Sequence, residues 1–70
     1  MQRINVVSSS IKKIGYDEMT NILEIEFNSG SVYDYLNVPS EIHKELMNAT
    51  SKGKYLHAYI EKVFRYQRIS

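Results

Sequence analysis

The chain has 70 residues, a formal net charge of +1, six tyrosines, no tryptophan and no cysteine. Its length fits one domain over 1–70, small enough to want a staple or a partner chain. The absence of cysteine excludes disulfides and thiolate metal sites, the near-neutral charge leaves only a local basic patch to carry nucleic-acid binding, and self-association is the expected stabilising device.

The N-terminal stretch "MQRINVVSSSIKK" lacks the apolar core of a signal peptide. No apolar run approaches the roughly 18–20 residues of a membrane span. These features predict a soluble, cytoplasmic protein with no membrane partner. Residues 11–17, "IKKIGYD", read as a strand with Ile14 and Tyr16 on one face, and Gly15 between them marks a bulge or a close backbone approach. "EMTN" makes a turn. In "ILEIEF", residues 22–27, Leu23, Ile25 and Phe27 alternate with Glu24 and Glu26, the period of a half-buried strand. "NSG" at 28–30 is hairpin chemistry. Residues 31–36, "SVYDYL", form a third strand with Tyr33 and Tyr35 on one face. A three-residue loop would set both tyrosines beside Leu23 and Ile25; a two-residue loop would set Val32 there instead.

After Pro39 a helix begins, with Ser40 as its cap, Glu41 in its first turn, and Ile42, Leu46 and Ala49 as its apolar stripe. A second helix is predicted from about Gly53 to Phe64, with Leu56, Ile60, Val63 and Phe64 in its core stripe and Tyr55 and Tyr59 beside it. The tail "RYQRIS" either continues that helix or frays. The expected fold is α+β: a three-stranded antiparallel meander followed by two helices packed on one face.

In order and spacing, Ser9-Ser10, Ile14-Gly15-Tyr16-Asp17, Leu23, Phe27, Gly30, Tyr33, Tyr35, Val38-Pro39, Ala49, Ser51, Gly53 and Tyr55 resemble the KTSC domain. The likeness runs over about residues 6–69. That family takes its name from a segment at the C-terminus of some lysyl-tRNA synthetases. Leu56-His57 stands where the family often has Phe-Asn, and Glu61 where an Arg is common. The resemblance implies a small domain without established catalytic residues, free-standing in bacteria and phages or fused to larger enzymes. The fusions suggest RNA. The free phage forms suggest an oligomer acting on host nucleotide signalling, in the host cytoplasm.

The residue types raise three chemistries. "TSKGK" precedes a helix, where free N–H groups and a partial positive charge attract anions. Ser51, Lys52, Gly53, Lys54 and Tyr55 are therefore candidate phosphate ligands, although the same residues make an ordinary capped helix. Lys62, Arg65 and Arg68 recur every three residues; Arg65 and Arg68 are the stronger phosphate candidates because guanidinium binds phosphate through two hydrogen bonds. Tyr33, Tyr35 and Tyr59 are candidates for base stacking, against the alternatives of core packing or an oligomer interface. Ser8 to Ser10, His57, Asp17 and Asp34 supply catalytic residue types but no spacing that joins them. No enzyme, cofactor or metal is expected. The leading expectation is a non-catalytic domain for a phosphate-bearing ligand, most simply a nucleotide, with a homo-oligomer sequestering a cyclic signal as one form of it. The alternatives are an RNA-binding accessory domain and a protein-interaction or oligomerisation module.

Overall fold

Strand alternation decides the centre of the sheet. The structure is a computed structural model and describes residues 1–70. β1 (Arg3–Asn5), β2 (Ile11–Asp17), β3 (Ile22–Phe27) and β4 (Val32–Tyr35) are followed by α1 (Ser40–Asn48), α2 (Lys52–Tyr59) and β5 (Tyr66–Arg68). The five strands form one antiparallel sheet in the order β1-β2-β3-β4-β5. The fold is thus α+β with two helices, as expected, but the sheet has five strands rather than three.

The register on β2 shifts between Ile11 and Lys13, so Ile11 faces Phe27 while Lys13 faces Glu26. This bulge absorbs one residue and returns Ile11 to the face of Ile14, so both are buried despite being three apart. Gly15, inside β2, marks a close approach instead: a Cβ there would lie 2.9 Å from Arg3 Cγ. The β3–β4 loop is closed by Phe27 N–H donating to Ser31 O at 2.9 Å, with Gly30 at φ +99°. That three-residue loop sets Tyr35 opposite Leu23 and Tyr33 opposite Ile25. Both tyrosines therefore share the core face.

α1 is capped by Pro39 rather than Ser40, and no side chain caps it. Proline extends the backbone at ψ 152°, so Ser40 becomes the first helical residue. α2 ends at Tyr59, not at Phe64. Ile60 and Glu61 N–H both reach Leu56 O, and the chain turns out of the helix. Val63, assigned to the core stripe, is 65% exposed. The tail then pairs with β4, setting Tyr66 opposite Tyr35 and Arg68 opposite Tyr33. Strand pairing wins here because β4 would otherwise carry an unpaired edge, and Tyr66 and Ile69 of the tail suit a strand. Lys62, Arg65 and Arg68 therefore share no helical face.

Ile11, Ile14, Leu23, Ile25, Tyr35, Val38, Leu46, Leu56 and Ile60 form the core between sheet and helices. Burial of such side chains is worth roughly 1.5–3 kcal/mol each before ordering costs. No helix is long and apolar enough to cross a membrane.

Candidate functional site

The start of α2 and the junction of Glu61 with β4 and β5 are the two places where candidate residues gather. At the first, Ser51 caps α2, its Oγ accepting from Lys54 N–H at 3.3 Å. Lys52 Nζ donates to Ala49 O, at the C-terminal end of α1, at 3.1 Å. A Cβ on Gly53 would sit 2.7 Å from Ser10 Oγ, so the space that glycine leaves open is filled by the N-terminal loop. Tyr55 Oη donates to Glu45 Oε1 at 2.7 Å; burial first, and that carboxylate second, push its pKa up to about 12. Only Lys54 keeps its side chain free of any bond in the chain. A shallow groove of about 290 Å³ lies alongside, lined by Val7, Ser8, Ser9, Thr50, Ser51 and Lys52.

At the second place, two grooves adjoin. One, of about 300 Å³, is lined by Phe27, Ser29, Ser31, Tyr33, Tyr35 and Glu61. The other, of about 440 Å³, is formed by the run from Glu61 to Tyr66 and contains Lys62 and Arg65. Glu61 belongs to both. Register builds this region. Because Tyr66 pairs with Tyr35 and Arg68 with Tyr33, the rings of Tyr33 and Tyr66 stack at 5.3 Å with planes 16° apart. Phe27 meets Tyr33 edge-on at 5.6 Å. Arg68 donates to Ser31 Oγ at 3.3 Å and to Ser70 O at 3.2 Å, at the hairpin end of the aromatic groove.

Tyr35 is only 2% exposed, so its ring has no free face on which a base could stack. Its hydroxyl lies at the edge of the groove. Tyr16 and Tyr55 hydroxyls donate to Val38 O and Glu45 Oε1, whereas that of Tyr35 has no protein partner. Burial, then the nearby Glu61 carboxylate, push its pKa up to about 12. Tyr33 is half-buried, with its ring covered by Tyr66 and Phe27 in part. Tyr59 is 58% exposed and packs on Tyr55 at 4.8 Å, on α2.

The opposite sheet face is acidic. Arg3 crosses it over Gly15 to reach Glu24 Oε2 at 3.2 Å and Glu26 Oε1 at 3.1 Å. Asp34 lies opposite Glu24, with Oδ1 buried and unbonded. Burial first, and then Glu24, raise its pKa to about 6. At the far end of the sheet Tyr16 and His43 stack at 4.6 Å, and burial lowers the His43 pKa. No three His, Asp or Glu side chains are placed to hold a metal ion.

The sequence-predicted residues therefore divide. Ser51 to Tyr55 stand beside the serine loop, and none of them lines either groove at Glu61. Arg65, Arg68, Tyr33 and Tyr35 converge on β4, β5 and the turn after α2. Glu61, Phe27 and Tyr66 were not among the predicted site residues. Their gathering depends on β5 pairing with β4, and the only sequence signal for that was the strand-forming composition of the tail.

The chain's relatives fit this architecture. It is 47% identical over 62 residues to a lysine–tRNA ligase of Trichormus variabilis, a match covering 89% of this chain and 11% of the ligase. The chain thus spans about a ninth of such ligases. An uncharacterized protein of Stutzerimonas stutzeri is 40% identical over 70 residues, covering 99% of each chain. The crystal structure of a KTSC domain protein from Yersinia pestis superposes with a TM-score of 0.95 at 40% identity, covering 99% of this chain and 97% of that one. With residues 7–64 also matching the family as a whole, from the serine loop to the turn after α2, this chain belongs to the KTSC domain family.

Proposed function

We propose that this domain is a non-catalytic binder of a nucleotide unit, held where the two grooves meet at Glu61. One observation carries the reading: a groove walled by Phe27 and Tyr33 adjoins a groove bearing Lys62 and Arg65. The aromatic side of the first groove takes the flat base. Exposed cations within reach take the phosphate, Arg65 through a forked contact. Nothing in this region joins a nucleophile to a base, so the chemistry offered is recognition rather than catalysis. Arg68 braces the hairpin end through Ser31.

Isothermal titration with 5′-AMP, 5′-GMP and inorganic phosphate tests this. Nucleotides should bind and phosphate alone should bind far more weakly, because the aromatic slot contributes only to the former. A protein that binds none of them, or phosphate as well as nucleotide, contradicts the reading.

A second source of the same nucleotide unit is an RNA chain. The likeness to part of a lysine–tRNA ligase favours it, since that relative works beside a tRNA. RNA binding would weaken steeply with salt as phosphate contacts are lost. Assembly of several copies, sequestering a cyclic nucleotide or serving as an interaction module, is a further form. The exposed side chains of Ile4 and Val7 near one sheet edge and Tyr66 on the other suit it, and light scattering of the purified chain tests it.

A further inference from the structure

The aromatic groove carries polar groups that a stacking slot alone does not require. Its floor is Tyr35, a ring almost wholly buried whose hydroxyl has no protein partner. Asp34 Oδ1 is the one buried side-chain oxygen without a partner, so the Tyr35 hydroxyl is open to solvent. Beside it stands the Glu61 carboxylate, whose one close basic neighbour is the exposed His57 imidazole, Nδ1 at 3.5 Å, an ion pair only when that ring is protonated. A contact of that kind on a helix surface holds the carboxylate weakly. The groove thus presents one O–H donor next to a carboxylate that accepts two hydrogen bonds side by side.

Base edges differ in what they offer such a pair. Guanine presents two adjacent donors, N1–H and N2–H₂, followed by the acceptor O6. Adenine presents one donor group, N6–H₂, beside the acceptor N1. Uracil offers a single N3–H donor between two acceptors, and hypoxanthine lacks the N2 amine. Only guanine fills both carboxylate oxygens and still has an acceptor left for the hydroxyl. Resting on the nucleotide reading above, we infer that this groove selects a guanine base, with Glu61 accepting from N1–H and N2–H₂ and Tyr35 Oη donating to O6. The base then lies against the Phe27–Tyr33 pair, whose rings meet edge-on at 5.6 Å.

The deciding experiment compares 5′-GMP, 5′-IMP and 5′-AMP by isothermal titration on wild type, Glu61→Gln and Tyr35→Phe. A bidentate contact to a base is worth about 1–3 kcal/mol, so GMP should bind about tenfold or more tightly than IMP or AMP. Glu61→Gln, whose amide offers one acceptor and one donor in place of two acceptors, should abolish that preference. Tyr35→Phe should weaken GMP and IMP, which share O6, more than AMP. Both variants should melt within a few degrees of wild type. A short single-stranded RNA with one guanine, run beside its adenine counterpart, should show the same preference if the base arrives on a chain. Equal binding of GMP and AMP, or a GMP preference untouched by Glu61→Gln, overturns the guanine assignment and leaves the nucleotide reading standing. Absence of binding by every nucleotide and RNA overturns both.

Discussion

The start of α2 and the turn after it carry similar side chains and treat them in opposite ways. Around residues 49–55, Ser51 caps the helix, Lys52 closes the end of α1, Gly53 admits Ser10, and Tyr55 binds Glu45. Most of the side chains that suggest an anion site already have an internal partner, while the Lys52 and Gly53 N–H groups and Lys54 Nζ do not. Around Glu61, the Tyr35 hydroxyl, the Glu61 carboxylate, Lys62 and Arg65 face open grooves. The lesson is physical. A list of residue types cannot separate a cap from a site, because both need donors, acceptors and small residues. A hydrogen-bond account narrows the choice, because the side chains of a cap are already paired within the chain.

The sharpest way to break this contrast is charge reversal. Arg65→Glu should weaken nucleotide at least tenfold, the loss of a charge-assisted contact worth roughly 1.5–3 kcal/mol, without lowering the melting temperature. Lys54→Glu should leave affinity unchanged. The reverse pattern would move the site to α2.

A smaller effect tests whether the acidic face acts apart from the grooves. Asp34 has its pKa raised from 3.8 to about 6. The folded state therefore holds this proton more tightly than the unfolded one. Its contribution is fully present below pH 3.8 and is lost as pH rises through about 6. Asp34→Asn should flatten that decline. At neutral pH it should stabilise the protein, on the order of 1.5 kcal/mol once solvent screening is allowed for. Chemical denaturation at several pH values reads this. Nucleotide affinity should not follow Asp34, which lies on the other face of the sheet.

Ser51→Ala should cost about 1 kcal/mol, the usual loss of a helix cap, and leave nucleotide affinity intact. A variant of normal stability with lost binding would make Ser51 a ligand contact. The smallest effect concerns Gly53. Gly53→Ala alone crowds Ser10 Oγ and should give no net gain. In a Ser10→Ala background, the same change should stabilise by about 0.5–1 kcal/mol, because alanine favours a helix over glycine. If Gly53→Ala instead abolishes nucleotide binding in both backgrounds, the glycine serves a ligand.

Much of the fold was legible because periodicity is a local signal. Leu23, Ile25 and Phe27 alternate in the sequence and share the core face, and Gly30 at positive φ closes the hairpin as its type suggests. Ser51, a phosphate candidate beside the plainer reading of a capped helix, caps α2. What stayed hidden was non-local. Val63 and Phe64 fit a helical stripe on paper, and Lys62, Arg65 and Arg68 a helical spacing, yet β4 offered an open edge and the tail paired with it. The strand at Arg3–Asn5 is too short to show a period. The Glu61 junction followed the same fate: Glu61, Tyr35 and Phe27 are far apart in sequence and meet only through the β3–β4 register and the exit from α2. Arg65 and Arg68 are candidates by chemistry alone; strand pairing sets Arg68 opposite Tyr33, and Arg65 lies in the groove after α2.

Backbone amide shifts of the ¹⁵N-labelled chain, followed during titration with 5′-GMP, test the central contrast most directly. The account predicts saturable shifts concentrated at Phe27–Tyr35 and Glu61–Tyr66, with Thr50–Tyr55 nearly silent. Shifts centred on Thr50–Tyr55, with the Glu61 junction silent, would contradict it.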